Sequence, residues 1–306
     1  MHTPKAVVLA VAPDQDIVMS AVRFAAAEAR LRGLPLEVLS AYLGRAALHS
    51  AMAHPAFDVR RRRTADDVVR SVLGMPELIG LDVYATVVDG DPEPVLLEAS
   101  ERAAVLVIGS RELSTFGAFV HRSIEGAVVN RAACPVVVMR GFAGDPGEGA
   151  GIVAGIDGGP TSAAVLQCAF DLASRHQVPL TVALCWHPDL LATMQWRPEQ
   201  PAPEKVYRWL AEALAGWSEQ YPDVDVRRSV ARHHVADALT VYAGNPYLVV
   251  VGRSAEPLSV FGFSASVHRA VLYRSTRPVV VVPTYEPDDG DEPDSGLLNV
   301  AAMTGR

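Results

Sequence analysis

Gly252, Arg253 and Ser266 are residues of this 306-residue chain whose types could bear on an anion, a glycine for close backbone approach, a cation and a hydroxyl. Gly252 closes the apolar run Leu248-Val249-Val250-Val251, and a glycine there lets backbone N–H groups approach a phosphate oxygen. Ser266 brings a hydroxyl to the start of a predicted helix, whose N-terminus adds donors and a favourable dipole, while Arg253 supplies a cation. Gly109, Ser110 and Ser123 repeat the arrangement behind Val105-Leu106-Val107-Ile108. Fold alone also accounts for several of these residues. A tight strand-to-loop turn favours glycine, Ser123 and Ser266 are good helix N-caps, and Asp157 before Gly158-Gly159-Pro160-Thr161 can order a turn. The long segment from glycine to serine, equal in both places, suits a loop that wraps a ligand or a partner.

These residues recur because the chain is doubled. Gly109 and Gly252 lie 143 positions apart, as do Pro135 and Pro278 in Cys134-Pro135-Val136-Val137-Val138 and Arg277-Pro278-Val279-Val280-Val281. Leu34-Pro35-Leu36 answers Val178-Pro179-Leu180 at 144, a drift that one inserted residue explains. A period this long means two copies of a domain rather than a solenoid. The expected division is a first domain over 1–141, a linker over 142–151, a second domain over 152–284 and an acidic, disordered tail over 285–306.

Composition narrows the function classes. Half the residues are hydrophobic and 20% are charged, as in compact globular proteins. A formal net charge of −8 argues against nucleic acid held on a broad basic surface, and the run Arg60-Arg61-Arg62-Arg63 reads as a solvated helix start or a subunit contact. Cys134, Cys168 and Cys185 are scattered and odd in number, which fits small apolar residues in a reducing compartment. The apolar start at 6–12 resembles a short signal peptide, but 152–156 holds the same place in the second copy, so both read as first strands. With no apolar run long enough for a bilayer, the protein is expected to be soluble and cytoplasmic.

Each copy alternates short β-branched runs with longer helical patterns, which predicts right-handed βαβ units on a parallel sheet. In the first copy strands are expected over 6–11, 36–42, 83–88, 105–108 and 136–139, with helices over 17–32, 58–73, 92–103 and 123–132. In the second, strands are expected over 152–156, 180–186, 224–230, 248–251 and 279–282, with helices over 161–176, 203–220, 235–243 and 266–274. The fold class is therefore α/β, two tandem five-stranded parallel-sheet domains of Rossmann-like or flavodoxin-like type. Ligands of such sheets lie outside the carboxyl ends of the strands.

The pattern resembles the universal stress proteins in their tandem two-domain form, over almost the whole chain except the linker and tail. The resemblance implies an adenine nucleotide alpha hydrolase-like fold, an Asp ending the first strand, and G-x2-G-x9-G-[ST] after the fourth in nucleotide-binding members. Some members of that family bind ATP or a related nucleotide and others do not. In the first copy the motif reads Gly109-Ser110-Arg111-Glu112, nine residues, then Arg122-Ser123, and the first-strand Asp is Ala12. Glu112 beside a triphosphate would cost about 4 kcal/mol at about 4 Å and an effective dielectric near 20. In the second copy it reads Gly252-Arg253-Ser254-Ala255, nine residues, then Ala265-Ser266, with Asp157 at the first-strand end. The resemblance thus points to ATP or a related adenine nucleotide in the second domain, at Asp157, Gly252, Arg253 and Ser266, with Gly109, Ser110 and Ser123 as weaker equivalents. It also implies pairing of the two domains through their fifth strands, and a homodimer is compatible with it.

Other constellations carry less. Asp157-Gly158-Gly159-Pro160-Thr161-Ser162 departs twice from the S-G-G-x-D-S loop of adenylating enzymes. Neither half has a dinucleotide fingerprint or a P-loop. His187, His233 and His234 lack a carboxylate or cysteine at ligand spacing, so no metal is expected. His121 near Ser123 has no third orienting group, and no nucleophile has a base. The expectation is a non-enzymatic stress-response protein whose ligand biases partner binding, the alternative being an interaction or scaffold protein that keeps the fold without nucleotide.

Overall fold

The structure, a computed structural model, describes residues 5–13, 19–43, 55–109, 124–139, 150–157, 161–186, 203–232, 237–242, 246–253 and 267–284. The chain divides into two compact units, Met1–Gly144 and Asp145–Arg306.

In the first unit the strands are β1 (Ala6–Ala10), β2 (Leu36–Tyr42), β3 (Val83–Asp89), β4 (Ala103–Gly109) and β5 (Val136–Met139). The helices between them are α1 (Met19–Arg32), α2 (Pro55–Leu73), α3 (Pro92–Arg102) and α4 (Ile124–Arg131), with a 3-10 turn at Pro76–Leu78. The strands are parallel and lie in the order β3-β2-β1-β4-β5. That is the Rossmann order. Of the two types expected it is thus the first, not the flavodoxin order 2-1-3-4-5.

The second unit has β6 (Ile152–Ile156), β7 (Leu180–Trp186), β8 (Val226–Arg232), β9 (Leu248–Gly252) and β10 (Val279–Val282). Its helices are α5 (Ser162–His176), α6 (Pro203–Gln220) and α7 (Val267–Arg274). Its order, β8-β7-β6-β9-β10, repeats that of the first. The pairing registers align the copies residue by residue. Val7 faces Leu36 and Val105, while Ile152 faces Leu180 and Leu248. Val7 therefore answers Ile152, which puts Ala12 at the place of Asp157 and Gly109 at the place of Gly252.

Burial follows the pattern a two-sided sheet requires. Val105, Leu106, Val107 and Ile108 are all buried, as are Leu248 to Val251, because helices cover both faces of the central strands. The outer strand β3 is largely half-buried or exposed, and its neighbour β2 is fully buried. Asp91 caps α3 by accepting from the Glu93 N–H at 3.2 Å, and Pro92 occupies the first turn, where its missing N–H costs nothing. Ala103 caps the other end, its N–H donating to the Ala99 carbonyl, and is also the first residue of β4.

Helices α1 and α5 leave by the same left-handed turn. Gly33 has φ of 63° and Gln177, its counterpart, 53°. Leu34 N–H donates to Ala29 O at 3.0 Å, and Val178 N–H to Ala173 O at 3.1 Å. Each copy then keeps one feature of its own. In the first, the Glu37 carboxylate, 1% exposed, is held by Arg102, with Nη2 to Oε1 at 3.1 Å, and receives the Tyr84 hydroxyl at 3.3 Å. In the second, buried Phe170 of α5 stacks on Trp217 of α6, ring centroids 5.6 Å apart.

Two expected elements differ in register or in type. The strand expected over 224–230 runs Val226–Arg232 instead, because Val224 N–H closes a turn onto Tyr221 O at 3.2 Å. Within the helix expected over 235–243, Ala238–Tyr242 forms a π-turn. Residues 142–149 of the expected linker and the tail from 285 lie outside the described residues.

Candidate functional site

The carboxyl ends of β6 and β9, neighbours in the sheet, bring Asp157, Gly252 and Arg253 to one end of the second unit. Strand order reverses there, which is where doubly wound sheets open a crevice. Asp157 is exposed and its Oδ1 accepts from the Ser162 hydroxyl at 3.1 Å, tying it to the start of α5. The Arg253 backbone is held from three sides. Its N–H donates to Val282 O at 2.8 Å, and its carbonyl accepts from Thr284 Oγ1 at 3.2 Å and Thr161 Oγ1 at 3.5 Å.

Gly252 has a different reason from the one its motif suggests. Its φ is not in the left-handed region. A β-carbon there would meet Thr161 Cγ2 at 2.8 Å and Val165 Cγ2 at 3.2 Å, so glycine is required by the close approach of α5 to β9. Of the other expected site residues, Gly109 ends β4 beside Met139. Ser110, Ser123 and Ser266 lie outside the described residues, as do Glu112, Arg122, Ala255 and Ala265. His121, His187, His233 and His234 lie outside them too.

His268 went unmarked in the sequence. It is 2% exposed in the first turn of α7, where burial first, then the charges of Arg269 and Arg253, hold its imidazole down to about 4. A single histidine within a short helical pattern gives no periodic signal. Its counterpart 143 positions back is Glu125, and comparing the copies there is what would have raised it.

The first unit has a partly open cleft of about 140 Å³ at the equivalent place. Leu9, Ala10, Ala12 and Ile108, from the ends of β1 and β4, form its floor. Val22 of α1, Val68 of α2 and Leu96 of α3 face across it, and Pro13 and Pro92 stand beside them. Glu125 of α4 is the one ionisable side chain among its described lining residues.

Cys134 is buried and its thiol is pushed up to about 12 by desolvation, which keeps it protonated, as its reading as a small apolar residue requires. Arg60, Arg61, Arg62 and Arg63 form an exposed part of α2, where Arg61 donates to Leu43 O at 2.9 Å. No group of three metal-ligating side chains gathers among the described residues, and no described helix is long and apolar enough to cross a membrane.

Comparison with known proteins agrees with this architecture. The family model described as "Universal stress protein family" matches residues 4–140 and again 151–283. The universal stress protein Rv2005c of Mycobacterium tuberculosis (strain H37Rv) is 30% identical over 271 residues, 86% of this chain and 92% of its own. Universal stress protein Rv2623 of the same strain is 29% identical over 280 residues, 88% of this chain and 93% of its own. Among solved structures, a universal stress protein from Archaeoglobus fulgidus covers 92% of this chain and 97% of its own with a TM-score of 0.67, at 15% identity, a likeness of fold. Matched once in each of its two copies, the chain belongs to the universal stress protein family.

Proposed function

We propose that this protein is a non-enzymatic stress-response protein whose second unit holds ATP or a related adenine nucleotide through Asp157, Gly252, Arg253 and Ser266. The observation that carries the reading is the placement of Asp157 and Arg253 at the carboxyl ends of neighbouring strands, one able to accept from a ribose hydroxyl and the other to neutralise phosphate. Occupancy would favour one arrangement of the loop that follows β9 and so bias the binding of a protein partner. The resemblance offers Gly109, Ser110 and Ser123 as weaker equivalents in the first unit, but Ala12 there leaves no carboxylate for a ribose hydroxyl, so nucleotide is proposed for the second unit alone. Pairing of the two units through their fifth strands, a homodimer and a cytoplasmic setting belong to the same reading.

Denaturing the purified chain and identifying what it releases tests this. Adenine nucleotide is expected from the native chain and from Ala12→Asp, and none from Asp157→Ala. Retention in Asp157→Ala overturns the assignment of the site. The second reading is an interaction protein without nucleotide, favoured by the packing of Thr161 on Gly252, which accounts for the glycine with no ligand. It predicts no released nucleotide and no retention of added ATP in equilibrium dialysis.

A further inference from the structure

We propose that the cleft of the first unit is a binding site for a small, uncharged, apolar molecule of about one ring, distinct from any nucleotide site of the second unit. The cleft stands where strand order reverses between β1 and β4, the place where this architecture receives ligands. Among its described lining residues the chemistry is nevertheless unsuited to a nucleotide. Ala12 replaces the carboxylate that Asp157 supplies in the second copy, so the acceptor for a ribose hydroxyl is gone. Pro13 and Pro92 on its lining have no N–H to offer a phosphate. Glu125 places a carboxylate on the wall, a charge of the same sign as phosphate.

The rest of the described lining is mainly apolar, from Leu9, Val22, Leu39, Val68, Leu96 and Ile108. A volume of about 140 Å³ fits a molecule the size of benzene, which an apolar cavity of about 150 Å³ accepts, and the partly open cleft gives such a molecule a way in. Filling such a space recovers dispersion contacts that its walls lack. The copies would thus have parted in ligand chemistry, with the carboxylate kept in one and lost in the other.

The test uses the full chain and fluorobenzene, observed by its 19F signal. The native protein is expected to broaden the line, and saturating ATP is expected to leave that broadening unchanged. Asp157→Ala should also leave it unchanged, which separates this site from the one proposed for nucleotide. Ala21→Leu fills the cleft from α1 and Ala12→Phe fills it from the end of β1. In each variant that keeps its native circular dichroism, the line width should return to that of the free probe. The proposal is overturned if the native chain leaves the line sharp, if ATP displaces the probe, or if broadening persists in every filled variant that folds. Should neither variant fold, Leu96→Ala decides. Enlarging the cleft should let 1-fluoronaphthalene bind at least tenfold more tightly than to the native chain, and an unchanged affinity overturns the proposal.

Discussion

Gly33 and Gln177 hold one backbone turn with two different residues, at φ of 63° and 53°. The left-handed conformation costs a side-chain-bearing residue about 1–2 kcal/mol, and glycine almost nothing. Nothing lies within 4 Å of a β-carbon placed on Gly33, so the penalty there is conformational and not steric. Gln177→Gly should stabilise the chain by about 0.5–1 kcal/mol after the greater freedom of glycine in the unfolded chain is subtracted. Gly33→Ala should destabilise it by about 1 kcal/mol. Urea midpoints of the two variants check both signs.

Gly252→Ala should cost about 1–3 kcal/mol whether or not nucleotide is present, because its β-carbon would overlap Thr161 Cγ2. Thr161→Ser removes that methyl group and keeps the hydroxyl bonded to Arg253 O. The double variant should recover most of the loss, and a double-mutant cycle measures the coupling. Strict additivity would contradict the packing account.

His268 makes stability depend on acid. Unfolded, its imidazole titrates near 6.5, and folded it is held at about 4 by burial, Arg269 and Arg253. Its contribution is intact above pH 6.5 and is lost as pH falls toward 4, about 3 kcal/mol in all. His268→Leu should flatten this limb, narrowing the difference in denaturation midpoint between pH 7 and pH 4.5. An unchanged slope would remove His268 from that role.

Arg102→Met should destabilise the first unit by about 3 kcal/mol, since it leaves the carboxylate of Glu37 buried without its cation. The value is at the low end because the Arg102 side chain is 41% exposed. Thr181 occupies the place of Glu37 in the second copy, by the matching registers of β2 and β7. Glu37→Thr together with Arg102→Met should therefore restore at least half of the loss, as read from thermal midpoints.

The frame of the molecule was written in its apolar runs. Strands β2, β5, β6, β7 and β10 and helix α6 keep the bounds their patterns predict, because a buried parallel strand leaves an unbroken β-branched signature. Strand β8 slipped by two residues, where Val224 serves a turn and Arg227 and Arg228 leave no apolar run to read. The site was legible only in part. Asp157 and Ala12 differ visibly once the copies are aligned, and so do the residues flanking Gly109 and Gly252. Thr161 against Gly252, the burial of His268 and the cleft above Leu9 all depend on how closely a helix approaches a strand. No local spacing encodes that distance.

Ala103 both ends α3 and begins β4, leaving no spare residue at the junction. An insertion there must either unwind the helix or slide the strand past Ala6 and Val136, which border it. Length variation among proteins built this way should therefore collect in the segments beyond the carboxyl ends of the strands and avoid this joint. The freedom to acquire new specificities, on that view, is confined to one end of the sheet by the rigidity of the other.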